Sequence, residues 1–304
     1  MAGLGIAAVA VVLATRWSPV MAGHPAYPLT LALVAVACVV VALSALLTRS
    51  AGGGGAHGRP SPWRLAGGIV ASVLAVAVFG VLIWLRPLGA TQRALDALAD
   101  GPGVDVTESA TRIALRPAGG VSQTGLVFYP GAKVDARAYA AILRPLAEAG
   151  HPVVIVKLPF GIAFADPDAA AGVIGSEDGV SRWVVAGHSL GGTVAARFAG
   201  GRHRGVTGLL LWASYPASSI RDRTGLAVTS VSATEDGLAT PGDIAASRAD
   251  LPPGTRFVAV RGAVHADFGD YGAQSGDGTR TIPHEEAQRQ IVAASLRMLE
   301  ERDR

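Results

Sequence analysis

Val184-Val185-Ala186-Gly187-His188-Ser189-Leu190-Gly191-Gly192 decides how this chain is read. An apolar run at 182–186 enters a Gly-x-Ser-x-Gly pentapeptide. Leu190, Val194, Ala195 and Phe198 then follow at helical spacing. This is the pattern of a nucleophilic serine on a tight strand-to-helix turn. A side chain at Gly187 or Gly191 would collide with so sharp a turn. The Ser189 hydroxyl would emerge at a helix start, where the dipole favours developing negative charge. Glycine accounts for 39 of the 304 residues, so the pentapeptide alone carries little weight. It occurs once, however, and it falls at a strand–helix junction.

Strand and helix patterns alternate on both sides of that junction. Residues 112–116 alternate as a strand, and 125–129, 152–156, 206–212, 226–232 and 256–260 are strand-like runs. Asp135 can cap a helix that Gly150 stops, with a kink expected at Pro145. Further helices are expected near 166–174, 190–199 and 282–299. Continuous apolar strands separated by helices predict a mostly parallel sheet covered on both faces.

A serine attacks poorly until a base removes its proton. His265, just past the 256–260 strand, sits where open parallel sheets place their active sites. His188 adjoins the serine, and its side chain is expected to point away and shape the turn. His151, His203 and His284 fall at expected helix boundaries, facing solvent. The acid that orients the imidazole is expected to be Asp236, after the 226–232 strand, with Gly237 permitting the turn and Glu235 as the alternative. The backbone N–H groups of Leu190 and Ala132 are the candidate oxyanion donors. Gly131 is placed where the backbone would approach substrate closely.

Composition sets the second theme. Half the residues are hydrophobic, 16% are charged, and the mean hydropathy is +0.39. Ordinary soluble domains are more polar. The excess lies in the first 90 residues. Runs at 29–48 and 66–85 are long and apolar enough to span a bilayer, and neither has the polar stripe of a core helix. A third span at 3–21 requires Arg16 to snorkel; a signal peptide is the alternative, but the basic leading region is missing. Residues 1–88 therefore read as a membrane region, 89–103 as a connector and 104–304 as the catalytic domain. Arg49, Arg59 and Arg64 on one side balance Arg16, Arg86 and Arg93 on the other. The compactness of the 49–64 cluster leans the catalytic part towards the extracytoplasmic side.

Of 26 basic residues only Lys133 and Lys157 are lysine, which suggests a GC-rich, bacterial genome. A net charge of +3 without an aromatic-interleaved basic cluster gives nucleic-acid binding no support. The single cysteine, Cys38, excludes an internal disulfide and a thiolate metal site. No cofactor or metal is called for.

Tyr129-Pro130-Gly131-Ala132-Lys133-Val134-Asp135, the Gly187–Gly192 stretch, Leu211-Trp212-Ala213-Ser214-Tyr215-Pro216 and the 265–278 segment together resemble the α/β-hydrolase superfamily. More narrowly, they resemble the small bacterial "α/β-hydrolase fold-5" group, distantly similar to dienelactone hydrolases. The resemblance covers about 125–299. Dienelactone hydrolases carry a cysteine where this chain has Ser189. The resemblance implies the chain order serine, acid, histidine and hydrolysis of an ester or thioester through an acyl-enzyme. The substrate would be a small-molecule or lipid-like ester, with membrane lipid as a partner. An acyltransferase on the same residues and a non-catalytic protein with a relict fold are the alternatives. About a dozen residues separate the strand near 213 from the next, too few for a large cap domain. The 266–281 segment, with Phe268, is the expected roof of the pocket. Lys157 is expected to lend positive potential that favours an acidic substrate.

Overall fold

The computed structural model describes residues 1–51, 62–101, 103–177 and 179–304. The chain divides into two compact units, Met1–Pro87 and Leu88–Arg304. Most of the expected loop at 49–64, Arg59 included, lies outside the described residues.

The first unit holds three helices, α1 (Ala2–Ala22), α2 (Ala26–Ala51) and α3 (Pro62–Trp84). All three are long and apolar enough to cross a membrane. Large apolar side chains point outward, with Leu33 and Leu47 each 70% exposed. Inside the unit α1 lies so close to its neighbours that a Cβ on Gly5 would come within 2.6 Å of Phe79. Helix α1 is broken at Arg16 (φ −143°, ψ 32°). Pro19 explains the break: it has no N–H to donate, and its ring crowds the carbonyl of Thr15.

The second unit opens with the short helix α4 (Gln92–Asp96). Strands β1 (Val104–Glu108), β2 (Arg112–Pro117) and β3 (Thr124–Tyr129) follow. Then come α5 (Ala140–Glu148), β4 (Val153–Val156), α6 (Ala169–Ile174), β5 (Arg182–His188) and α7 (Leu190–Gly200). The unit closes with β6 (Val206–Trp212), β7 (Ala227–Ala233), α8 (Pro241–Ala246), β8 (Arg256–Val260) and α9 (His284–Asp303). The strands form one sheet in the order β1-β2-β4-β3-β5-β6-β7-β8. Every pair from β4 to β8 is parallel, and β1 and β2 are added antiparallel at one edge.

The apolar strands are buried on both sides. Leu143 and Leu146 of α5 and Ile291 and Met298 of α9 cover Phe128, Val184 and Leu210 on one face. Val173 of α6 and Val194 and Phe198 of α7 cover Val127, Val185 and Leu209 on the other. Val184 and Val185 thus serve different cores, as the two-residue period of a strand requires. From β3 the chain steps to β4 on one side and β5 on the other. The crevice at the carboxy ends of β3 and β5 is where open α/β sheets bind ligands.

Three expectations change. Residues 89–103, expected as a connector, belong to the second unit, and the Thr91 N–H donates to the Asp270 carbonyl at 2.7 Å. Helix α5 carries Pro145 without a break in its winding. The irregularity sits earlier, where a 3-10 turn at Ala136–Tyr139 hands over to α5 and Tyr139 has φ −99° and ψ −3°. Finally, β1 was not anticipated, because Val-Asp-Val-Thr-Glu at a sheet edge lacks the apolar run of a central strand. The loop from β6 to β7 carries no helix, in keeping with the short spacing.

Candidate active site

Ser189 stands between β5 and α7 with φ 52° and ψ −127°, outside the regions ordinary side chains favour. The glycines around it make that possible. A Cβ on Gly187 would lie 2.5 Å from the Gly191 carbonyl, and one on Gly191 would strike the Tyr129 and Pro130 carbonyls. The Ser189 N–H donates to the Trp212 carbonyl at 2.9 Å, and the Ser214 hydroxyl donates to the Ser189 carbonyl at 2.6 Å. The turn is therefore pinned to β6 while the Ser189 side chain keeps some exposure to solvent.

Asp236 and His265 come from the turns after β7 and β8. His265 Nδ1 lies 2.9 Å from Asp236 Oδ2, with both side chains buried. The other carboxylate oxygen accepts the N–H groups of Leu238 and Ala239, each at 2.8 Å. The carboxylate thus takes the proton-bearing side of the imidazole and leaves Nε2 as an acceptor. His265 Nε2 is buried and has no partner among the described residues. An orphaned buried acceptor is rare enough to call for a role. The hydrogen bond to Ser189 that base catalysis needs is not made here, and such bonds commonly tighten only when substrate is bound. Glu235, the alternative acid, is exposed, and among the described residues its side chain accepts only from the Thr234 hydroxyl. Gly237 is needed for close approach: a Cβ there would be 2.5 Å from the Gly276 carbonyl.

The loop after β3 accounts for its N–H groups almost completely. Gly131 donates to the Tyr139 hydroxyl at 2.9 Å, Lys133 to the Gly161 carbonyl at 2.8 Å and Val134 to the Gly131 carbonyl at 3.1 Å. Pro130 has none. Ala132 N–H is the one without an acceptor among the described residues of 130–134. The N–H of Leu190, first residue of α7, precedes the helical ladder and has no acceptor there either.

Residues 125–290 match the model of the alpha/beta hydrolase family. This chain belongs to the alpha/beta hydrolase family. No curated protein matches it significantly. Among solved structures it is similar to a predicted CIB-like hydrolase from Thermoplasma acidophilum, with 18% identity and a TM-score of 0.49 over 64% of this chain and 100% of that one. It is also similar to a dienelactone hydrolase-like promiscuous phosphotriesterase from metagenomic libraries, with 16% identity and a TM-score of 0.49 over 65% and 96%. A third is esterase 2 of Thermogutta terrifontis, with 15% identity and a TM-score of 0.45 over 67% and 96%.

Four expected roles in this hydrolase need correction. The Lys157 ammonium is buried and committed to Glu108 Oε1 and the Ser109 carbonyl, both at 2.7 Å. Its charge is thereby balanced, and it does not join Ser189, Asp236 and His265. Phe268 is fully buried and stacks on His188, with centroids 5.7 Å apart and planes 12° apart, so it backs the site instead of facing substrate. Gly131 is required by Tyr139 and His188, which a Cβ would meet at 3.0 and 2.8 Å. His151 is buried with Nδ1 3.0 Å from the Thr124 carbonyl, so it does not face solvent.

The 266–281 segment is not the expected roof. Its first half is buried, and Asp277 in its second half ties the two turns together. Asp277 accepts from the N–H groups of His265 at 3.0 Å, Ala266 at 2.8 Å and Gly237 at 3.3 Å. The sequence offered no signal for this beyond an aspartate flanked by glycines. Asp277→Ala is expected to lower kcat about 10- to 100-fold with little change in KM, because small misplacements of reacting groups are costly. Steady-state kinetics on a soluble ester check this; an unchanged kcat would refute it.

His284, expected at the surface, lies between two carboxylates. Nδ1 is 2.7 Å from Asp267 Oδ1 and Nε2 is 3.0 Å from Asp270 Oδ1. Both nitrogens therefore donate, and the ring is an imidazolium. Its hydrogen bonds to Asp267 and then Asp270 raise its pKa to about 9 against the cost of burial. Burial pushes the Asp270 carboxyl up, but His284, Arg93 and Gln288 outweigh it and hold the pKa low. A raised histidine pKa stabilises the fold fully below the unfolded value near 6.5, and the contribution fades as pH rises through about 9. The wild type is expected to melt above His284→Gln at pH 6, with the gap shrinking towards pH 9.5. Thermal melts of both across that range test it, and a constant gap would refute it.

Proposed function

We propose that this chain is a membrane-anchored serine hydrolase that cleaves an ester or thioester through an acyl-enzyme. The Ser189 oxygen attacks the carbonyl carbon while its proton passes to His265 Nε2. Asp236 holds the imidazole by Nδ1 and stabilises its cationic form. The carbonyl oxygen, now negative, takes hydrogen bonds from the N–H groups of Leu190 and Ala132. Collapse of the tetrahedral intermediate breaks the bond to the leaving group, which departs with the proton from Nε2. Water then repeats the sequence on the acyl-enzyme, freeing the acid and Ser189.

The observation that carries this reading is the buried His265–Asp236 pair at 2.9 Å, with Nε2 left unpartnered, on the same sheet edge as the strained Ser189 turn. The membrane anchor rests on three helices of membrane-crossing length. A lipid-like ester is supported by where apolar surface remains. The exposed large apolar side chains among the described residues of the second unit are Val121, Phe164, Tyr215 and Leu238. The last three follow the carboxy ends of β4, β6 and β7. Leu238 is two residues from Asp236, and the Tyr215 carbonyl accepts from Thr193 in the first turn of α7. Such side chains suit an acyl chain better than a charged group.

The test is a panel of p-nitrophenyl esters of graded chain length, together with a fluorophosphonate probe, applied to the full chain in detergent. Covalent labelling and a preference for the longer acyl chains are expected. Absence of labelling with no hydrolysis of any ester would end the proposal.

A further inference from the structure

We infer that Tyr139 and His188 act as a positioning pair that sets the oxyanion loop against the nucleophile turn, an inference that rests on the acyl-enzyme reading above. Three side-chain and backbone groups form a chain. The Gly131 N–H donates to the Tyr139 hydroxyl at 2.9 Å, and that hydroxyl lies 2.9 Å from His188 Nδ1. An amide can only donate, so the hydroxyl oxygen accepts from Gly131; the buried hydroxyl's own hydrogen then needs an acceptor, and His188 Nδ1 is the one within reach among the described residues. Nδ1 of His188 is therefore the acceptor, and the neutral ring carries its hydrogen on Nε2.

The surroundings keep the His188 ring neutral, although its Nε2 is buried with no hydrogen-bond partner among the described residues. Tyr139 and His188 are fully buried. Burial and the neighbouring His265 keep the His188 pKa well below its ordinary value, and burial raises that of the Tyr139 hydroxyl. Phe268 stacks on one side of the His188 ring, and the His265 ring centroid lies 4.5 Å away. With Nδ1 occupied and Nε2 protonated, His188 has no lone pair to offer Ser189, although it adjoins it. Its role is to hold.

What it holds is the peptide that ends in the spare donor. The Gly131 N–H is fixed by Tyr139, and the Gly131 carbonyl accepts from Val134. The Gly131–Ala132 peptide is thus clamped on both sides of its Cα, which sets the direction of the Ala132 N–H. His188 immediately precedes Ser189 and Leu190, which carries the second donor. One hydroxyl thereby fixes the two oxyanion donors relative to each other, across 49 residues of chain. Catalysis by aimed dipoles depends on their being fixed before charge develops.

The test uses the full-length chain in detergent, with kcat and KM measured on a p-nitrophenyl ester and affinity measured for a trifluoromethyl ketone, which forms a tetrahedral adduct with the serine. Tyr139→Phe is expected to lower kcat about 10- to 100-fold with KM within about twofold, the scale set by misplacing a catalytic donor. Ketone affinity should fall by a similar factor, which a merely structural loss would not produce. His188→Asn, whose amide oxygen can replace Nδ1 as acceptor, should stay within about fivefold of wild type, whereas His188→Phe should match Tyr139→Phe. The double variant Tyr139→Phe/His188→Phe should be no worse than either single. Unchanged kcat and ketone affinity in Tyr139→Phe would overturn the inference, as would equal losses in His188→Asn and His188→Phe. The histidine comparison decides the matter if Tyr139→Phe does not fold. A wild type that takes no fluorophosphonate label defeats the acyl-enzyme reading itself. A labelled wild type with an indifferent Tyr139→Phe defeats only the pair.

Discussion

Ser189→Ala is expected to lower turnover of any ester substrate about 10⁵- to 10⁶-fold and to abolish fluorophosphonate labelling. The residual rate would come from substrate binding and the oxyanion donors, which act without a nucleophile. KM should change little, because the hydroxyl makes its bond only as the reaction proceeds. The melting temperature should also hold, since Ser189 Oγ makes no hydrogen bond among the described residues and the strain at φ 52° belongs to the backbone, which alanine inherits. The measurement is steady-state kinetics beside intact-mass analysis after probe treatment. Turnover within tenfold of wild type in a labelled or unlabelled Ser189→Ala protein would remove the serine from the mechanism.

Asp236→Asn is expected to cost about 10⁴-fold in kcat at neutral pH, nearly as much, though it changes a single atom. The reason lies in the two N–H groups of Leu238 and Ala239, which both point at Oδ1. The carbonyl of the new amide will stay with those donors, so its NH₂ must face His265 Nδ1. The imidazole would then accept at Nδ1 and carry its hydrogen on Nε2, the tautomer that cannot take the Ser189 proton. Probe labelling should slow in parallel with kcat, while the fold stays intact. Glu235→Gln is the matched control and should remain within about twofold, because the Glu235 side chain is exposed and among the described residues bonds only its neighbour Thr234. A severe loss in Glu235→Gln with a mild one in Asp236→Asn would reassign the acid.

The parts of this site that were legible in sequence share one property: the constraint on them is local. The turn at Ser189 needs small residues within two positions on either side, because a Cβ at Gly187 or Gly191 meets backbone. Strands β3 to β6 announce themselves because both faces are covered, leaving few polar positions in each run, whereas β7 (Ala-Val-Thr-Ser-Val-Ser-Ala) buries three hydroxyl side chains. Asp236 and His265 were found by their place after strands, since a parallel sheet gathers its carboxy ends on one edge.

What escaped sequence reasoning depends on partners far along the chain. Lys157 looked like free charge until Glu108, 49 residues away, was found on its ammonium. Asp277 reaches back 12 residues to His265 and 40 to Gly237. His284 seemed a surface residue at a helix start, and Asp267 and Asp270 make it a half-buried cation. Phe268 in a polar, glycine-rich stretch offered no hint that it packs flat on His188.

The amino-acid order alone pointed to the membrane-length helices, the parallel sheet and Ser189 and His265 as the side chains expected to react, because hydrophobic periodicity and turn sterics act over a few residues. Only the folded chain decided which carboxylate holds His265, which N–H groups remain unspent, and what Lys157 and Phe268 are for. Those answers depend on which donors and acceptors satisfy one another after distant segments meet, and a buried polar group takes whatever partner the packing brings to it.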